Sequence, residues 1–241
     1  MKISVIVPAF NEEKLIAASL RSMREAASSF ARRGWETEFV VCDNNSTDAT
    51  PVLAREAGAR VVFEPINQIA RARNTGAAAA EGDWFIFVDA DSRPTAELFD
   101  DVAAQIESGQ CLAGGCTMRM DERHLRMDVG TGLWNLVSRF TRWAAGAFIF
   151  CEAAAFRSVG GFDLKLYASE ELDLSKRLKK LARAQGKKMV ILRRHPLLTS
   201  ARKAHLYSRA ELASFLKNAI LRPRKTVTNR DACSPWYDGR R

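Results

Sequence analysis

Apolar positions in the first ninety residues fall into short continuous runs separated by stretches with helical spacing. Ile3-Ser4-Val5-Ile6-Val7 reads as a strand stopped by Pro8. Leu15, Ile16, Leu20 and Met23 then recur at helical spacing, with Asn11 as the expected cap and Gly34 as the terminator. A second strand is expected over 37–42, and a helix over 49–57 closed by Gly58. A third strand begins at Val61, and an alanine-rich helix covers 68–80. Trp84-Phe85-Ile86-Phe87-Val88 is five apolar residues in a row, the pattern of a strand covered on both faces. Four strand–helix alternations argue for a parallel sheet with right-handed crossovers.

Beyond residue 92 the pattern loosens. A helix is expected over 96–107, a strand with a glycine bend over 111–120, and a charged connection over 121–127. A helix over 133–144 and a short strand over 148–150 follow. Gly160-Gly161-Phe162-Asp163 marks a turn, 170–185 a helix closed by Gly186, and 189–192 a strand. An amphipathic helix is expected over 208–221, and residues 222–241 form a basic tail.

Composition sharpens this picture in two places. The 241 residues carry a net charge of +9, but 1–173 hold 18 basic against 25 acidic residues, while 174–241 hold 19 against 3. Such a basic end suits an anionic partner, or is simply a solvated face. No nucleic-acid motif accompanies it, so a nucleic-acid partner is not expected. The five cysteines are odd in number, lack metal-site spacing and lie in apolar surroundings, which reads as reduced core residues of a cytoplasmic protein. Met1-Lys2 leads straight into a strand, so no signal peptide is expected, and no stretch is long and apolar enough to span a bilayer.

The candidate chemistry begins where the Trp84–Val88 run ends, in Asp89-Ala90-Asp91. Residues i and i+2 of an extended chain point to one side, so both carboxylates can converge at the strand's carboxyl end, where open α/β sheets bind ligands. Side by side they repel unless a cation lies between them, and their oxygens suit Mg²⁺ or Mn²⁺. An acidic turn would carry the same pair. A phosphatase pair is disfavoured, because three strands precede it. No Gly-x-Gly-x-x-Gly follows the first strand and no Walker loop occurs, which disfavours dinucleotide enzymes and ordinary nucleotide triphosphatases.

Four stretches in order, VIVPAFNEE, DNNSTD, IARARNTGAAAAEGDWFIFVDADS and GGFDLKLYASEELDLSKRLKKL, resemble glycosyltransferase family 2 with the GT-A type fold. The resemblance implies an α/β fold whose mostly parallel, Rossmann-like central sheet is flanked by helices. It implies one catalytic domain over 1–221, with a nucleotide-binding half (1–91) and an acceptor and catalytic half (92–205). Pro8, Ala9, Asn11 and Glu12 would then lie at the base pocket, Asp43 on the base, and Arg73 near the base and phosphates. An ion pair of Arg73 with Asp43 or Asp89 is the structural alternative for that arginine.

By the same resemblance Asp91 and Asp89 hold the metal, Asp89 and Ala90 meet the nucleotide, and His205 completes the metal shell. Arg202 and Lys203 would lie against the diphosphate, and residues 148–152 would border the donor sugar. Glu171 takes the general-base position, where the family usually carries aspartate, with Glu170 as the fallback. The implied activity is inverting, Mn²⁺- or Mg²⁺-dependent sugar transfer from a nucleoside-diphosphate sugar to an acceptor hydroxyl. A retaining transferase and a sugar-nucleotide-binding protein without turnover stay open. The acceptor is unknown, with phosphorylated and lipid-linked classes and peripheral contact with an anionic membrane as the options.

Overall fold

The computed structural model describes residues 1–122, 125–144, 146–202, 223–233 and 237, without the side chains of 125–129, 223 and 224. Its strands are β1 (Lys2–Ala9), β2 (Glu36–Asp43), β3 (Arg60–Phe63), β4 (Trp84–Val88), β5 (Ser92–Arg93), β6 (Cys111–Met120), β7 (Phe148–Glu152) and β8 (Lys188–Thr199). They form one sheet in the order β3-β2-β1-β4-β7-β6-β8-β5. β1 runs parallel to β2 and β4, and β2 to β3, as the strand–helix alternation predicts. β7 then inserts antiparallel between β4 and β6, and β6 returns to parallel pairing with β8.

Period-two alternation splits β4 between two cores. Ile86 and Val88 face one side with Val5 and Val7, against Ile16, Leu20 and Met23 of α1 (Ile16–Ala26), Phe30 of α2 (Ser28–Ala31) and Phe99 of α5 (Ala96–Glu107). Ala54 of α3 (Thr50–Glu56) joins that core. Phe85 and Phe87 face the other side, against α4 (Ile69–Ala79), α7 (Ala153–Ser158) and α8 (Glu170–Ala184). Covered on both faces, the strand has no solvent side on which to place a polar residue, hence its unbroken apolar run. Among the described residues the remaining α-helices are α6 (Leu125–Thr141) and α9 (Pro223–Val227).

Several boundaries differ from expectation for physical reasons. α1 starts at Ile16, with Leu15 rather than Asn11 at its cap position. Asn11 instead sits at φ +53° and its Oδ1 accepts the Thr47 N–H at 2.8 Å, serving the neighbouring loop. β8 runs twelve residues, through Arg193-Arg194-His195-Pro196, because its far half pairs with Met118–Met120 of β6. α6 begins at Leu125, inside the expected connection, and α7 was not expected. The expected helix over 208–221 lies outside the described residues, as do Lys203 and His205. All five cysteines are buried and free, and burial pushes the thiols of Cys42, Cys111 and Cys116 up to about 12. No described helix is long and apolar enough to cross a membrane.

Candidate active site

Parallel pairing brings the carboxyl ends of β1, β2 and β4 together, with Ala9 opposite Asp43 and Ile6 opposite Phe87. Chain leaving those ends walls a cleft that, with its mouth, encloses about 550 Å³. Pro8, Ala9, Phe10 and Glu12 line it from β1, Asn44 and Asn67 from the β2 side, and Ile69 and Ala72 from α4. Asp89, Ala90 and Asp91 form the wall beyond β4, and Tyr237 closes it from the carboxyl-terminal segment. Of the expected nucleotide-site residues, Pro8, Ala9, Glu12, Asp89 and Ala90 therefore meet at one cavity, together with the expected metal ligand Asp91.

Asn11, Asp43, Arg73 and Arg202 are not among the lining residues. Asp43 is buried, and its Oδ1 accepts the Ser46 N–H at 3.2 Å. Asp48 accepts the Thr50 N–H at 2.9 Å, which anchors the start of α3. Beside Asp43, Asn44 donates to the Ile66 carbonyl at 2.7 Å and accepts the Gln68 N–H at 2.9 Å. These bonds hold the turn in place, so its Asp/Asn/Ser/Thr content is used first for architecture.

α4 joins the two halves of the site. Gln68 donates to the carbonyls of Leu164 and Leu166, each at 2.9 Å. The Asn74 amide pairs with both the N–H and the C=O of Phe162 at 2.9 Å. This pairing explains Gly161, at φ +66°: a Cβ there would stand 2.6 Å from Asn74 Oδ1. The GGFD stretch is thereby docked on α4 and sets the entry to α8.

Arg73 lies at the centre, with only 1% of its surface exposed. Its Nη1 donates to Glu170 Oε1 at 2.6 Å, and its Nη2 to Asp89 Oδ1 at 3.0 Å and the Gly146 carbonyl at 2.8 Å. The Phe162 ring lies 5.2 Å from the guanidinium carbon. Burial opposes the Arg73 charge, but Asp89, Glu170 and Glu171 outweigh it and raise the pKa. Of the two structural alternatives for this arginine, the pair formed is with Asp89, and Asp43 takes no part.

Ser169, at φ +63°, turns the chain into α8, so that Glu170 points inward onto Arg73 and Glu171 follows in the first turn. A non-glycine residue held in the left-handed region beside a site is local strain maintained by its surroundings. The Glu171 carboxyl borders Gly146 and Arg73: a Cβ on Gly146 would stand 3.5 Å from Glu171 Cδ and 3.1 Å from Arg73 Nη2. Burial, reinforced by the Glu170 charge and opposed by Arg73, pushes Glu171 up to about 8. A carboxylate poised near neutrality beside a cleft suits proton transfer.

Arg202 reaches the cleft from beyond β8. It forms an ion pair with Glu12 and lies 3.5 Å from Asp91 Oδ2, spanning the ends of β1 and β4. Burial works against its charge, and the carboxylates of Glu12 and Asp91 more than restore it. Among the described residues no third His, Cys, Asp or Glu joins Asp89 and Asp91 in a metal cluster. The pair still fits a hard cation: Mg²⁺-type sites use one or two carboxylates plus substrate phosphates and water, and Asp91 already attracts a cationic group.

Residues 148–152 do not line the cleft. Phe148 and Phe150 are fully buried in the core, while Glu152 pairs with Lys187. The main chain just before β7 approaches the site instead, where the Ala147 carbonyl accepts the Asp89 N–H at 3.2 Å. Asn44, Asn67, Phe10, Ile69, Ala72 and Tyr237 were not anticipated. Tyr237 donates to the Tyr167 carbonyl at 2.8 Å and packs with Cys233 and Ala168, and burial raises its pKa. No local sequence signal links it to the start of α4, 168 residues earlier, where the Ile69 N–H lies 3.5 Å from its hydroxyl.

The sequence profile described as Glycosyl transferase family 2 matches residues 4–159, ending before Glu170 and Glu171. The poly(ribitol-phosphate) beta-N-acetylglucosaminyltransferase TarS of Staphylococcus aureus is 34% identical over 114 residues, 44% of this chain and 19% of that protein. The uncharacterized glycosyltransferase EpsJ of Bacillus subtilis is 28% identical over 119 residues, 47% of this chain and 33% of that protein. The chain thus spans a third or less of these curated relatives.

Among solved structures, S. aureus TarS 1–349 in complex with UDP-GlcNAc superposes with a TM-score of 0.65 at 22% identity, covering 98% of this chain and 69% of that one. The mannosyltransferase PcManGT of Pyrobaculum calidifontis, in complex with GDP-Man and Mn²⁺, gives 0.66 at 19% identity, covering 91% and 61%. These likenesses establish the GT-A type fold. With the profile spanning well over half its length, the chain belongs to glycosyltransferase family 2.

Proposed function

We propose that this chain is an inverting, divalent-metal-dependent transferase moving a sugar from a nucleoside diphosphate to an acceptor hydroxyl. The observation carrying this reading is the Arg73 network, which ties Asp89 in the cleft to Glu170, with Glu171 beside it raised to about 8 by burial. Residues 1–221 serve as one catalytic domain, consistent with a sheet that runs unbroken through both halves.

The donor's base and ribose occupy the cleft at Pro8 and Ala9, with the diphosphate toward Asp89, Ala90 and Asp91, while Asp43 supports the base pocket from behind through its turn. Asp91 and Asp89 hold Mg²⁺ or Mn²⁺, as their oxygen-only chemistry permits. When bound, the cation offsets charge on the departing diphosphate. Arg202 leaves Glu12 and Asp91 for the diphosphate oxygens. Glu171 takes the acceptor hydroxyl's proton as that oxygen bonds to the anomeric carbon. The bond from that carbon to the diphosphate breaks, its electron pair leaving with the phosphate oxygen. Arg73 holds Glu170 inward, which keeps Glu171 aimed at the cleft.

One neighbour holds a uridine nucleotide and another a guanosine nucleotide, so the base is left open, as are sugar and acceptor. Release of nucleoside diphosphate from UDP- and GDP-sugars, with Mn²⁺ and a lipid-extract acceptor, tests the reading. Glu171→Gln should keep donor affinity and lose about 10²–10⁴-fold in turnover. Retention of configuration at the product's anomeric carbon, or full activity of Glu171→Gln, would remove the base role.

A further inference from the structure

Helix α6 carries an apolar stripe outside the cleft. Leu133, Leu136 and Phe140 are 64%, 47% and 81% exposed and lie on one side of the helix at i, i+3 and i+7. Its rotation is fixed from the opposite side. The Asn135 amide brackets Met118 of β6, accepting its N–H at 3.0 Å and donating to its C=O at 2.9 Å, while Ser138 is buried and donates to the Trp143 carbonyl. The stripe therefore faces outward because the polar side of α6 is the tethered side, the reverse of an ordinary surface helix.

Cations gather at the same end. Arg139 and Arg142 line a shallow groove with Lys188 and Arg193 of β8, floored by Met189, Val190 and Ile191, and among the described residues no carboxylate lines it. Lys176 of α8 lies 5.0 Å from the Trp143 ring centroid, and Lys179 donates to the Thr141 carbonyl at 2.7 Å. Burial and then the charges of Arg183 and Arg142 lower the Lys179 pKa, a sign of crowded positive charge.

We propose that α6 is an interfacial helix that seats Leu133, Leu136 and Phe140 in the headgroup region of an anionic phospholipid membrane, with the Arg139–Arg142–Lys188–Arg193 groove on lipid phosphates. Exposed bulky apolar residues bordered by Lys and Arg are the pattern of such helices. A second copy is a poor occupant, since a two-fold contact would set the same cations against each other. α6 ends shortly before Gly146, whose carbonyl Arg73 holds, and the Ala144 N–H donates to Ser175 of α8 at 3.1 Å. Docking would thus present the Glu171 side of the cleft to the membrane surface. On the transferase reading above, this makes the acceptor a membrane-anchored molecule; the docking itself does not depend on that reading.

The test is co-sedimentation of the full chain with vesicles of phosphatidylcholine containing about 30% phosphatidylglycerol, at low and high salt. Binding is expected at low salt, falling at least about tenfold in pure phosphatidylcholine or high salt. Phe140→Asp and the Arg139→Glu/Arg142→Glu pair should each lower it about tenfold, while Phe140→Asp leaves nucleotide titrations unchanged. No binding at low salt, or a Phe140→Asp variant that binds like the parent, overturns the proposal. So does a dimer that Phe140→Asp dissociates without any vesicle binding. Absent nucleotide binding in the parent would sink the transferase reading and leave the docking result standing.

Discussion

Replacing Arg73 by methionine removes the cation that pairs with both Asp89 and Glu170 while keeping an unbranched apolar stem. Glu170 is 3% exposed, so the variant leaves a buried carboxylate without its partner. Breaking a buried ion pair from one side costs about 3–5 kcal/mol, because the remaining charge stays desolvated. The lost contact with Phe162, 5.2 Å away, adds a smaller part. Urea unfolding at pH 7.5 should therefore show a fall of about 3–5 kcal/mol with unchanged m, equivalent to roughly a 10 °C drop in Tm for a chain of this size. Adding Glu170→Gln to Arg73→Met should recover about half of that loss or more, since the amide needs no counter-charge. A single-variant cost below about 1 kcal/mol, or no recovery in the double variant, would refute a buried charge network at this position.

Three further outcomes follow from the same contacts. Glu171→Gln should stabilise the protein at pH 9 but not at pH 4. The folded pKa of Glu171, about 8, is raised, so its contribution is fully present below the unfolded value and is lost as pH rises through 8. A Tm difference between variant and parent that does not grow from pH 5 to 9 contradicts this. Gly161→Ala should cost about 1–3 kcal/mol, because the residue sits at φ +66° and its Cβ would meet Asn74 Oδ1; denaturant midpoints check it, and a neutral result rejects the docking of GGFD on α4. Tyr237→Phe should lose about 1 kcal/mol by breaking the bond to the Tyr167 carbonyl, and an unchanged melting temperature would show that bond to be inconsequential.

How far the sequence could be read depended on whether a residue's partner was local. The Trp84–Val88 strand and the Asp89/Asp91 pair at its end were legible because burial on both faces and the period of two act within a few residues. The start of α1 was not: Asn11 is a good cap by type, but its side chain is engaged by Thr47, 36 residues on. β8 appeared as four residues because its charged far half resembles a loop, yet β6 supplies its backbone partners and His195 meets Asp101 at 3.0 Å. For Arg73 the sequence allows two roles, nucleotide contact or ion pair. The structure gives it Asp89 and also Glu170, 97 residues away, a partner no local spacing could supply. Tyr237 lay in what read as a basic tail, whereas Cys233 and Tyr237 pack against Ala168 at the entrance to α8.

The central claim is that the cleft between Pro8 and Asp91 binds a nucleoside-diphosphate sugar through a metal held by the acidic pair. Calorimetric titration of UDP- and GDP-sugars, with and without Mn²⁺, into the parent and Asp91→Ala tests it most directly. One donor should bind the parent only when Mn²⁺ is present, and Asp91→Ala should abolish that heat. Metal-independent binding of equal strength in both proteins, or no binding of any donor, would contradict the account.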